Sequence, residues 1–174
     1  PHFSLYEAAG VDPSKQPADR SLTRDDLIDE WNKGYGLVTW MGHGSPEAAY
    51  RHIWVKDNGD KVPSYQETAD PTFLSYDDVY RLEDRRPTFV FHGSCSNGEP
   101  ESPLNIGYGL LRHGAIGTVS SSREALVILT PGMMGKTAAN IFGLERDFAA
   151  LLLDGKAAGD ALAIAKEQLS DELG

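Results

Sequence analysis

Residues 36–45, GLVTWMGHGS, decide how the chain is read. Leu37 to Met41 is apolar almost without a break, the pattern of a strand covered on both faces. The strand stops at Gly42-His43-Gly44-Ser45, where two glycines let the backbone turn and leave one imidazole at its mouth. Residues 88–98, TFVFHGSCSNG, repeat the arrangement with a thiol. An apolar strand over Thr88–His92 runs into Cys95, the only cysteine of the 174 residues.

The neighbouring segments extend this pattern. Thr23 before RDDLIDEWNKG predicts a helix N-cap, with Asp25 and Asp26 in the first turn, Leu27, Ile28 and Trp31 on one stripe, and Gly34 as the stop. Ser75 predicts the cap of a short helix over SYDDVYRLEDRR. SPLNIGYGLLRHG predicts a helix from Ser102 to Gly114, and AIGTVSSS a third strand. Two helices, roughly over 131–153 and 156–172, close the chain and are split near Asp154-Gly155. Between the first two strands, HIWVKDNGDKVPSY predicts a hairpin turning at Asn58-Gly59. Residues 1–20 read as an irregular lead-in to a single domain over 1–174.

Helix and strand alternate along the chain, which predicts an α/β fold: a three-layer αβα sandwich with a mainly parallel sheet. Doubly wound domains usually hold about five or six strands. Three are legible here, so a segment outside this chain is expected to complete the sheet.

Composition removes several classes of function. Hydrophobic residues make up 40% of the chain, enough for a core and against disorder. The net charge of -10 and the lack of a Lys/Arg cluster argue against nucleic-acid binding. No apolar run approaches the ~20 residues of a membrane span. A single cysteine excludes an internal disulfide and a multi-cysteine zinc site. The start at Pro1-His2, with no leader, predicts a processed end or the start of a fragment. The acidic balance with one thiol suits a secreted bacterial protein and a cytosolic one alike.

In a parallel sheet both His43 and Cys95 leave their strands at the carboxyl edge, where open α/β folds bind ligands. Neighbouring strands lie ~4.8 Å apart, so the two groups are within reach of one substrate. A thiol is a strong nucleophile only as thiolate, and an imidazole nearby helps to form it or protonates a leaving group. Acyl transfer also needs N–H donors aimed at an oxyanion, and the backbones of Gly44 and Cys95 are the candidates. The plainer readings are a small buried thiol and an ordinary Gly-His-Gly turn. The other histidines compete poorly. His92 lies inside a strand, His113 at a helix end, His52 in a loop and His2 at the terminus. No metal-ligand spacing such as HExxH is present.

At WMGHGS and FVFHGSCSNG the sequence resembles the gingipain-type cysteine peptidases (peptidase family C25), in the clan that also holds caspases, legumain and clostripain. DLIDEWNKGYGLV and GLLRHGAIGTVSSS extend the likeness over about residues 20–150. The resemblance implies a caspase-like sandwich and peptide-bond cleavage through a thioester, with Cys95 as nucleophile and His43 as acid/base. It also implies that a group orienting His43 comes from upstream, and that this chain is the second half of a catalytic domain, with an N-terminal half as its partner. The pocket for the residue before the scissile bond, P1, would be lined by Ser120, Ser121, Ser122, Arg123 and Glu124. Glu124 pointing in favours a basic P1 and Arg123 an acidic one. Arg or Lys is the expectation. The sequence departs from the family pattern at EPES after Asn97-Gly98, where many relatives carry an aromatic, and in SSREALVILTPGMM, which lacks the pocket aromatic of some relatives. No cofactor is required. Asp57, Asp60, Glu67 and Asp70 offer a structural calcium site, against the plainer reading of a solvated acidic loop. The alternatives are a sortase-like transpeptidase on the same fold, an inactive peptidase-like binding module, and a thiol acyltransferase with a strand-to-helix elbow, against which Pro100 and Pro103 argue. The expected location is secreted or cell-surface, with a cytoplasmic one left open.

Overall fold

The computed structural model describes residues 2–125 and 141–173. In chain order its elements are β1 (Leu5–Tyr6), β2 (Arg20–Ser21), α1 (Arg24–Trp31), β3 (Leu37–Met41), β4 (His43–Ser45), β5 (Ala48–Tyr50), β6 (Ile53–Trp54), β7 (Thr68–Ala69), β8 (Thr72–Ser75), β9 (Thr88–Gly93), α2 (Ile106–Arg112), β10 (Ala115–Ser120), α3 (Ile141–Leu153) and α4 (Ala158–Leu173).

The central sheet is parallel, in the order β10-β9-β3. Its two faces separate by the alternation of strand side chains. Val38, Trp40 and Val90 face a core shared with Leu27, Ile28 and Trp31 of α1 and Ile106 and Leu110 of α2. Leu37, Met41 and Phe91 face Phe148 of α3 and Ala161 and Ala165 of α4. Helices therefore cover both faces, which is the sandwich expected from the sequence.

The local signals explain the element ends. The Thr23 hydroxyl accepts the Asp26 N–H and caps α1. Ser75 and Asp78 form a reciprocal capping box at a 3-10 turn over Tyr76–Arg81, and Arg24 holds the buried Asp78 carboxylate at 2.7 Å. α2 begins at Ile106 rather than Ser102. Pro103 follows Ser102, and the Asn105 side chain accepts the Tyr108 N–H as the cap. The lead-in is less irregular than expected, because β1 and β2 pair in parallel. Residues 126–140, which hold the expected start of the first closing helix, lie outside the described residues.

The segment between the first two strands differs most from expectation. Ile53 pairs with Ala69 and Trp54 with Thr68, so the 52–65 hairpin does not form. Asn58-Gly59 instead sits in a series of side-chain-to-backbone turns. Asp57 accepts the Gly59 and Lys61 N–H groups, Asn58 accepts that of Asp60, and Asp60 accepts that of Val62. A second small sheet, antiparallel in the order β4-β5-β8, carries the histidine.

Candidate active site

The ladder between β3 and β9 pairs Trp40 with His92 and Met41 with Gly93, and the Gly42 N–H adds one more bond to the Gly93 carbonyl at 3.1 Å. His43 lies two residues past Met41, and Cys95 two past Gly93. They leave adjacent strands at the same level and at the same edge of the sheet. Beyond the ladder the loops stay in contact. A Cβ on Gly44 would lie 2.5 Å from the Cys95 carbonyl oxygen and 2.9 Å from Ser94 Cβ. Only glycine allows this approach.

Three side chains, Trp40, Ser94 and Asn97, tie the histidine hairpin to the cysteine loop. Trp40 Nε1 donates to Ser94 Oγ at 3.0 Å, and the Ser94 hydroxyl donates to Asn97 Oδ1. The Asn97 amide then donates to the carbonyls of Ser45 and Ala48, on either side of the Pro46-Glu47 turn. Asn97 is fully buried. The start of α2 adds two more ties, Ile106 N–H to Pro46 O at 2.8 Å and Gly107 N–H to Asn97 O at 2.9 Å.

The cysteine loop turns tightly. Ser96 lies in the left-handed region at φ 54, a costly place for a non-glycine residue. Helix α2 starts only after Pro100 and Pro103, so this turn is not a strand-to-helix elbow. The segment after β10 runs beside it. The Ser96 N–H bonds Arg123 O and the Gly98 N–H bonds Ser121 O, both at 3.0 Å. At its end the Ala125 N–H donates to Cys95 Sγ at 3.3 Å, and Sγ lies 3.6 Å from the Ala125 carbonyl oxygen. The thiol is half-buried.

The five residues expected to line the P1 pocket have the following partners. Ser120 packs its hydroxyl against Gly98 and Gly107. Ser121 and Ser122 contribute carbonyls to Gly98 and to Arg123. Arg123 makes a two-bond ion pair with Glu101, at 2.6 and 3.0 Å. Glu124 is exposed. An open cleft of about 480 Å³ between the hairpin and the 3-10 turn is lined by Ser45, Tyr50 and Tyr76 among others, but not by His43 or Cys95.

The four acids considered for calcium are engaged separately. Asp57 and Asp60 cap their own turn, Glu67 accepts from the backbones of Asn58 and Ser64, and Asp70 pairs with His52. Among the described residues no three His, Cys, Asp or Glu side chains converge on a metal-sized site.

Two residues here have contacts that their places in the sequence, His52 in a loop and Asn97 after the cysteine, do not show. His52 packs its ring against that of His43, with centroids 5.2 Å apart and planes at 63°. Asn97 showed nothing in the sequence beyond its place two residues after Cys95.

His92 is buried against Trp40, with ring centroids 4.2 Å apart. Neither ring nitrogen has a hydrogen-bond partner among the described residues. Burial pushes its pKa down to about 3, opposed by the nearby Asn97 side chain. The folded protein therefore keeps His92 neutral, while the unfolded chain takes up a proton below pH ~6.5. Its contribution to stability is complete above that pH and is lost as the pH falls toward about 3. Urea unfolding at pH 7 and pH 5 should show about 2 kcal/mol more acid destabilisation in the wild type than in His92→Leu. Equal pH dependence in the two proteins would count against a neutral buried imidazole.

The family model described as peptidase family C25 matches residues 4–172. No curated protein matches the chain significantly. Among solved structures, the Arg-specific cysteine proteinase gingipain R is similar at a TM-score of 0.51 and 16% identity, over 88% of this chain and 36% of that one. A complex of the pro- and mature domains of RgpB from Porphyromonas gingivalis aligns at a TM-score of 0.47 and 15% identity, over 92% of this chain and 44% of that one. The chain thus spans less than half the length of either.

Proposed function

The chain belongs to peptidase family C25, and from that premise we propose that it carries the nucleophile and the acid/base of a cysteine endopeptidase. The observation that carries this reading is the closure of the two loops after β3 and β9, with Gly44 packed on the Cys95 carbonyl. In the proposed reaction the Cys95 thiol loses its proton to solvent and the thiolate Sγ attacks the substrate carbonyl carbon, forming a C–S bond and an oxyanion. The backbone N–H groups of Gly44 and Cys95 stabilise that oxyanion. The C–N bond then breaks, and the leaving amine departs with a proton from His43. Water attacks the thioester, the C–S bond breaks to release the acid and the Cys95 thiolate, and the proton lost by the water replaces the one that His43 gave up.

The reading extends to a basic residue at P1. Gingipain R is Arg-specific. In this chain Arg123 is neutralised by Glu101 while Glu124 is exposed, and the net charge is -10. A partner half-domain fits the apolar strand β3, which among the described residues pairs only with β9 and so forms one edge of the sheet.

A panel of peptidyl acyloxymethyl ketones varied at P1 tests this on the full-length protein. The expected result is one label per molecule on Cys95, strongest with Arg or Lys at P1 and absent in His43→Ala. A panel that leaves Cys95 unlabelled would point to a non-catalytic binding module instead. Added amine appearing in the product would mark a transpeptidase.

A further inference from the structure

We infer that His52, anchored by Asp70, is the positioning residue for His43, an inference that rests on the peptidase reading above. The chain builds this arrangement from two antiparallel registers. In β4-β5, His43 faces Tyr50. In β6-β7, Ile53 faces Ala69. Between them the Arg51 N–H bonds the Pro71 carbonyl at 3.0 Å, which holds the strand that carries His52 against the one that carries Asp70. One step past the Ile53–Ala69 pair, His52 and Asp70 come opposite each other. His52 lies two residues beyond Tyr50, which makes it the diagonal neighbour of His43.

The side chains meet accordingly. His52 Nδ1 lies 2.6 Å from Asp70 Oδ1. A carboxylate only accepts, so Nδ1 carries the hydrogen and the ring orientation is fixed. The ring stands edge-on to His43 at a centroid distance of 5.2 Å, within the ~4.5–7 Å of a stabilising ring contact. His43 is exposed between two glycines, and among the described residues its ring accepts or donates no side-chain hydrogen bond. An imidazole free to rotate spends little time aimed at the departing amine, and proton transfer needs the donor within hydrogen-bond reach. The His52 ring closes off one side of that rotation, and Asp70 keeps His52 in place.

His52 and Asp70 are about half exposed, 50% and 51%, so the variants should fold with an unchanged melting point. Steady-state kinetics on the full-length protein should compare a peptide amide with a p-nitrophenyl ester of the same acyl group, which needs no proton to leave. His52→Ala should lower kcat on the amide about tenfold or more, with KM within about twofold, and change the ester rate by less than about twofold. Asp70→Ala should give the same amide loss and add nothing in the His52→Ala background. Asp70→Asn, which keeps an acceptor for Nδ1–H, should restore most of the rate. An unchanged amide kcat in His52→Ala, or equal losses on amide and ester, would overturn the inference. A wild type that hydrolyses neither substrate would instead remove the peptidase reading beneath it. Full wild-type turnover with an indifferent His52 would remove this inference alone.

Discussion

Asn97→Ala should lower stability by about 3 kcal/mol and abolish most of the activity, because this buried side chain bonds the cysteine loop to both sides of the hairpin turn. The amide donates to Ser45 O and Ala48 O and accepts from Ser94, whose hydroxyl in turn accepts from Trp40. Truncation leaves two buried carbonyls and one hydroxyl short of a partner, at about 1–3 kcal/mol each, partly relieved by relaxation or an entering water. For a chain of this size the melting point should fall by about 6–12 °C. Asn97→Asp is the sharper test. It is isosteric, yet it turns both donors into acceptors and faces a charge toward two carbonyls, so it should be at least as damaging at neutral pH. Calorimetry on the two variants decides the matter. An Asp variant as stable as the wild type would mean that the network does not hold the loops.

That network also shows what the sequence alone conveys. The apolar runs before His43 and Cys95, the Thr23 cap and the glycine stops are short-range signals, and each is set by residues within one turn or one strand. The parallel sheet and its two helical faces follow from them. His52 and Asp70 stand eighteen residues apart on a segment whose alternation points to a hairpin at Asn58-Gly59. The side-chain turns at Asp57, Asn58 and Asp60 let that segment pair from residue 53 to residue 69 instead, and only that pairing brings His52 to His43. The role of Asn97 is hidden for a similar reason. Its partners are backbone carbonyls on a distant hairpin, and carbonyls leave no mark in a sequence. The pairing of Arg123 with Glu101, on the neighbouring loop, is likewise not legible in the sequence.

Gly44→Ala should cost about 100-fold or more in kcat/KM on a peptide amide while leaving the fold intact. The added methyl would sit 2.5 Å from the Cys95 carbonyl oxygen, 2.9 Å from Ser94 Cβ and 3.0 Å from Asn97 Nδ2. The nearest of these is backbone, held by the ladder and by the Asn97 bonds, so the hairpin must move away from the cysteine loop. A shift of about 1 Å is enough to misplace both the Gly44 N–H and the imidazole beside it, and such errors cost about 10²-fold. The stability cost should be about 1–3 kcal/mol, in the range of other overpacked sites. Gly36→Ala provides the control, since a Cβ there meets nothing within 4 Å and the site lies at the opposite end of β3. Kinetics on both variants separate the effects. A Gly44→Ala protein as active as Gly36→Ala would mean that the two loops need not touch for catalysis.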